Sequence, residues 1–223
     1  MRARLAIRGL SRFLAGIILI TAMLFWSAGS WAYWNAWLLM GVLFIPILIL
    51  GIVMLIYSPS LLSKRLSAKE HDVEQRWVVA LSGIMFMASF VVAGLNFRFG
   101  WTTMPSWVTW VGTAIFLLSY ILYAEVVREN AYLSRTIEIQ EGQTVVDTGL
   151  YGIVRHPMYS VTILMFLSIP LILGSIISFA IMVAYIPIIA IRIKNEERVL
   201  ETGLMGYSGY KQRVRYKIIP YIW

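Results

Sequence analysis

The sequence predicts an all-α polytopic integral membrane protein, with four transmembrane helices followed by a C-terminal helical hairpin. Three observations carry that prediction. The 223 residues are 60% hydrophobic and only 13% charged, about half the charge of a typical soluble domain, and the mean hydropathy is +0.77. Two long runs carry no formal charge, 51 residues between Arg12 and Lys64 and 35 from Pro157 to Ile191. Of the 19 Lys and Arg, all but Arg98 fall on one side of the resulting spans, together with all 11 Asp and Glu. That is the asymmetry of positive-inside insertion.

The elements follow in order. As helix, the first uncharged run would measure roughly 75 Å, more than twice a hydrocarbon core of about 30 Å, so it crosses twice. The break is SAGSWAYWNAW, Ser27 to Trp37, where small residues meet aromatic ones that settle at headgroup level. Helix 1 is placed at about Ser11 to Trp31 and helix 2 at about Asn35 to Tyr57, ended by Ser58 and Pro59. Arg2, Arg4, Arg8 and Arg12 lead into a long apolar stretch without a small-residue cleavage site, which reads as a retained helix and not a signal peptide. After a polar loop over 58–76, helix 3 runs from Trp77 to about Asn96 and helix 4 from Trp107 to about Val127.

The 35-residue run is long for one crossing and short for two with a turn. Pro170 and Gly174 divide it into two short arms, about Met158 to Ile169 and Ser175 to Arg192, with a kink expected at Pro187. The chain therefore divides into a four-helix part, 1–127, and a second part, 128–223. The second part comprises a loop over 128–157, the hairpin over 158–192 and an amphipathic, interfacial segment over 193–223, with tyrosines 207, 210 and 216 among basic residues.

Composition also excludes chemistry. Without cysteine there is no thiolate nucleophile or Cys-based metal site, and with only His71 and His156 no histidine metal cluster is expected. The net charge of +8 is accounted for by topology, so no nucleic-acid partner is expected.

Chemistry is left to two segments on the charged face, Arg128 to Tyr159 and Arg192 to Trp223. In the first, Thr136 to Val146 reads as a pair of extended pieces turning at Glu141 and Gly142. RHPMY follows, Arg155 to Tyr159. Pro157 suits the first turn of a helix, whose free N–H groups favour an anion. Arg155 and His156 at an apolar threshold call for a ligand, a headgroup or a carboxylate; snorkelling and helix capping are the plainer alternatives. Glu196 and Glu197 lie about one turn beyond the second arm, so the hairpin returns them to the face of Arg155 and His156. Adjacent helical residues point about 100° apart. One carboxylate can thus enter a site while the other pairs with Arg192, Lys194 or Arg198.

The combination of TGLYGIVRHPMY, an apolar hairpin, NEERVL, GYSGYKQRV and IIPYIW resembles the isoprenylcysteine carboxyl methyltransferase family, which is related to the membrane phospholipid N-methyltransferases. The resemblance covers about Glu129 to Trp223. It implies S-adenosylmethionine as methyl donor, bound on the cytoplasmic face by the RHPxY segment and the region around the first Glu of the EE pair. Carried onto this chain, it implies Gly149, Tyr151, His156, Pro157, Tyr159 and Glu196 as cofactor-binding residues, and Arg155, Glu197 and Arg198 as catalytic ones. Arg128 is a further candidate for holding a substrate anion, and Asn130 fits a family pattern. One position departs: where many relatives carry Gly two residues after the motif tyrosine, this chain has Val161.

The expected function is a membrane methyltransferase that esterifies the carboxylate of a lipophilic substrate, a prenylcysteine-like or lipid acid. Its substrate is expected to arrive sideways from the lipid between helix 4 and the hairpin. Phosphatidylethanolamine-type N-methylation and, from another class, a small transporter or lipid-binding scaffold stay open. The active site and both ends of the chain are expected on the cytoplasmic side of the membrane, with membrane lipids as neighbours.

Overall fold

The structure is a computed structural model and describes residues 2–67, 73–130, 132–133 and 139–223. His71 and the start of the expected extended pair, residues 136–138, lie outside them. Helix α1 spans Arg2–Thr21 and passes into a wider π-type turn at Ala22–Trp26. It starts earlier than the sequence suggested, because arginine is a good helix former and the helix continues beyond the apolar run. It also ends earlier. Gly29 adopts φ +63°, a left-handed conformation open to glycine, and its N–H closes on the Phe25 carbonyl at 2.9 Å.

Helices α2 (Trp34–Tyr57), α3 (Pro59–Ser67), α4 (Val73–Phe99) and α5 (Ser106–Glu129) follow. Part of the expected 58–76 loop is therefore helical: Arg12 donates to the Leu66 carbonyl, which ties α3 to α1. Gly94 of α4 faces the wide turn of α1, and a Cβ there would lie 2.6 Å from the Leu24 carbonyl oxygen. Small residues at such crossings let helix backbones approach where lipid gives no hydrophobic drive.

The hairpin consists of α6 (Pro157–Ile172), α7 (Ile176–Val183) and α8 (Tyr185–Gly203). Its arms are longer than expected, and the second is broken at Ala184 instead of bent at Pro187. Pro187 has no N–H for the Val183 carbonyl and its ring crowds that oxygen, so the break falls at the preceding turn. Five helical stretches are long and apolar enough to cross a membrane, Arg2–Trp26, Trp34–Tyr57, Arg76–Phe99, Ser106–Glu129 and Ile176–Gly203. Helix α6, at 16 residues, is about 24 Å long and still reaches the far side. There Tyr33 donates to the Leu173 carbonyl at 2.6 Å and Asn35 to the Ile172 carbonyl at 2.7 Å. These side chains satisfy helix-end carbonyls that lipid cannot.

Helices α5 and α6 pack tightly. Gly112 lies bare against α6, where a Cβ would be 2.8 Å from that of Leu171, and at the charged end Val126, Tyr151 and Val161 form a buried cluster. The seam between α5 and the first arm of the hairpin is closed at these points.

Candidate functional site

The C-terminal residues build one wall of the site. A last short helix, α9 (Tyr207–Arg213), is followed by a segment that lies along the start of α6. The Arg155 N–H donates to the Tyr216 carbonyl at 2.9 Å and the His156 N–H to that of Lys217 at 2.8 Å, while the Ser160 hydroxyl donates to Ile218 at 2.6 Å. The chain then turns back: the N–H groups of Lys217, Ile218 and Ile219 all reach the Trp223 oxygen at 2.9–3.1 Å.

The RHPMY residues have divided roles. Pro157 occupies the first turn of α6 and is buried. Arg155 is 6% exposed. Its Nε donates to Glu197 Oε1 at 2.8 Å, and one terminal nitrogen donates to the carbonyls of Val214 at 2.8 Å and Arg215 at 2.7 Å. It thus ties α8 to the C-terminal segment. His156 does not cap α6 through its side chain. Its Nε2 meets the same Glu197 oxygen at 3.2 Å, which assigns the proton to Nε2, and Nδ1 lies 4.0 Å from Glu196 Oε1. Tyr159 donates to Glu196 Oε2 at 2.6 Å and accepts from Arg192 Nε at 3.0 Å.

The adjacent glutamates separate as helical geometry requires. Glu197 is 5% exposed and its second oxygen lies 3.1 Å from Lys217 Nζ. Its ion partners are therefore Arg155, His156 and Lys217, and not the same-helix Arg192, Lys194 or Arg198 that sequence proximity suggested. Glu196 lines a cavity of about 100 Å³ together with Tyr151, His156, Tyr159, Tyr207 and Tyr210. Residues 130, 132–133 and 143–146 close its other side.

Of the sequence candidates, Tyr151, Arg155, His156, Tyr159 and Glu196 line this cavity, as does Asn130. Gly149, Pro157, Glu197 and Arg198 are not on its wall, and Arg198 is exposed. Arg128 pairs with Glu125 on the surface of α5 at 2.5 and 2.8 Å. Gly149 has φ +50° and rests on the Glu129 carboxylate, which accepts the Leu150 N–H at 2.9 Å. Glu129 thereby holds the turn at Gly149–Gly152 that presents Tyr151.

Tyr207, Tyr210, Arg192, Lys217 and Glu129 were not among the sequence candidates. The sequence suggests that these two tyrosines are interfacial, yet they are 4% and 2% exposed, because they pack with Leu204 and Val214 beneath Ile139 and Val145. Their i, i+3 spacing on one helix face was the available signal. Burial pushes the Tyr151 phenol up to about 12 and also raises Tyr207 and Tyr210. All three are neutral at ordinary pH. The segment 139–146 is irregular around a turn at Glu141–Gly142 and forms no extended pair among the described residues.

Residues 107–204 match a family model described as phospholipid methyltransferase. Among solved structures, the fold is similar to that of the eukaryotic intramembrane Ras methyltransferase, isoprenylcysteine carboxyl methyltransferase, solved without a monobody. The TM-score is 0.58 at 17% identity, covering 96% of this chain and 77% of that one. At that identity the likeness is one of fold. No curated protein matches by sequence. The family match and the fold both agree with the resemblance read from RHPMY and the EE pair.

Proposed function

We propose that this chain, folded like a membrane methyltransferase and matching a methyltransferase family over its central and C-terminal helices, transfers a methyl group from S-adenosylmethionine to the carboxylate of a lipophilic acid. One observation carries the proposal: His156 and Tyr159 of the RHPMY segment and Glu196, 37 to 40 residues away in sequence, meet on one cavity at the charged edge of the helix bundle.

The residues present fit the methyl donor. Glu196 has one oxygen fixed by Tyr159 and a side chain that is 28% exposed, so its other oxygen is available to ribose hydroxyls or an amino group. Aromatic faces of the kind provided by Tyr151, Tyr159, Tyr207 and Tyr210 attract a cationic sulfur. Bound there, S-adenosylmethionine would supply an electrophilic methyl group. Arg192 holds Tyr159, which holds Glu196, so the carboxylate is positioned before ligand arrives. Glu197, Arg155 and Lys217 dock the C-terminal segment and complete the wall. Leu133, Val199, Leu200 and Leu204 share the wall with these tyrosines, and apolar surroundings favour a reaction in which an anion and a cation neutralise one another. Arg155 and Glu197 are thus positioning residues, and the site faces the cytoplasm on the positive-inside asymmetry.

A second reading, N-methylation of a phospholipid amine, is favoured by Glu196 itself, a carboxylate near a histidine that can take the proton an ammonium must lose. Purified protein incubated with radiolabelled S-adenosylmethionine and either a farnesylcysteine analogue or phosphatidylethanolamine separates the two. Base-labile label on the first supports esterification, and stable label on the second supports N-methylation. No label on either and no donor binding would reject both. Glu125, the carboxylate nearest to offering a transport path, is paired with Arg128 at the helix end.

A further inference from the structure

Tyr207 opens α9, is 4% exposed and lines the cavity, yet among the described residues its buried hydroxyl has no hydrogen-bond partner. Three other tyrosines of the cavity wall are provided for. Tyr159 donates to Glu196, Tyr210 to the Tyr151 carbonyl at 2.7 Å and Tyr132 to the Gly142 carbonyl at 3.1 Å. A buried hydroxyl left unmatched costs the protein stability.

The ring has little freedom to seek water. Gly206, at φ +85°, sets the turn into α9, the Tyr207 N–H is bonded to the Leu204 carbonyl at 3.2 Å, and the ring rests against Tyr210 with centroids 5.7 Å apart. Tyr207 shares the cavity wall with Arg155, His156 and Tyr159 of the RHPMY segment and with Glu196.

We infer that Tyr207 is a ligand-binding residue: its hydroxyl donates a hydrogen bond to an acceptor atom of the methyl donor bound in this cavity. The inference rests on the methyltransferase reading and adds to it a contact outside the RHPMY and EE segments. Because the hydroxyl serves recognition, its loss weakens S-adenosylmethionine and its demethylated product S-adenosylhomocysteine alike, raising the donor KM and leaving kcat unchanged.

The test is Tyr207→Phe, which keeps the ring and removes only the hydroxyl, studied in detergent or nanodiscs by calorimetric titration with both nucleosides and by thermal unfolding. Affinity for each is expected to fall about tenfold, while the ligand-free Tm is unchanged or higher because no unmatched hydroxyl remains. Tyr210→Phe provides the contrast: it removes a hydroxyl with a protein partner, so its ligand-free Tm should fall. Tyr207→Phe binding both nucleosides within twofold of the parent would overturn the inference, as would a lowered ligand-free Tm, which would reveal a structural role. Parent protein that binds neither nucleoside would instead remove the methyltransferase reading, and this inference with it.

Discussion

Replacing Glu197 by glutamine tests whether the buried ion cluster docks the C-terminal wall of the site. The parent carboxylate takes three donors on two oxygens, Arg155 Nε at 2.8 Å, His156 Nε2 at 3.2 Å and Lys217 Nζ at 3.1 Å. Glutamine keeps one acceptor oxygen and must turn its NH2 toward Lys217 or toward the Arg155–His156 pair, donor against donor. Truncating a buried ion pair costs about 3–5 kcal/mol. With one acceptor retained, the cost should lie near the lower end, about 3 kcal/mol. It should appear first as undocking of residues 214–218. The Arg155 and His156 amides, which donate to the Tyr216 and Lys217 carbonyls, are direct reporters. At 1.36 kcal/mol per decade, their hydrogen-exchange protection should drop about 100-fold, with the amides of α2 unchanged as a control. Donor affinity should fall with it. Adding Arg155→Met should cost less than the two single changes summed, since no lone buried charge is then left. Protection at residues 155 and 156 within threefold of the parent would refute the reasoning.

Three further outcomes are expected. Gly149→Ala forces a side chain to φ +50° and into the Glu129 carboxylate; it should cost about 2 kcal/mol in thermal unfolding. Adding Glu129→Ala should recover only part, because the backbone strain stays. Gly112→Val wedges α5 from α6 at a contact where even a Cβ would lie 2.8 Å from Leu171. A loss of about 1–3 kcal/mol and a lower Tm should follow, with the charged-face site affected only through the shift of α6. Alkaline stability should report the buried phenols. Tyr151 is held neutral, its pKa raised from 10.0 to about 12 by burial, so its contribution is complete below pH 10 and is lost as pH rises through about 12. A Tm profile over that window should steepen, and Tyr151→Phe should flatten it.

Much of the fold was legible because lipid imposes a simple rule: a crossing segment must be apolar and must satisfy its own backbone. Spans at 35–57 and 107–127 could be placed within a residue or two by charge-free runs and aromatic borders. The reach of α6 was less legible, because the carbonyls at the end of its 16 residues are met by donors distant in sequence, Tyr33 just before α2 and Asn35 within it. The break at Ala184 follows from Pro187, but sequence alone does not distinguish a bend from a break.

The sequence by itself determined that the chain lives in a membrane, that its charge lies on one face and that RHPMY and the EE pair return to that face. These properties depend on composition, length and order along the chain. Only the tertiary structure decided that Glu196 enters the cavity while Glu197 joins Arg155, His156 and Lys217, and that Tyr207 and Tyr210 are wall rather than surface. Helical geometry fixes the angle between neighbouring residues but not the phase of the helix against its surroundings. That phase was set by the docking of residues 214–218 along α6, a contact about 60 residues distant in sequence and invisible to any local pattern.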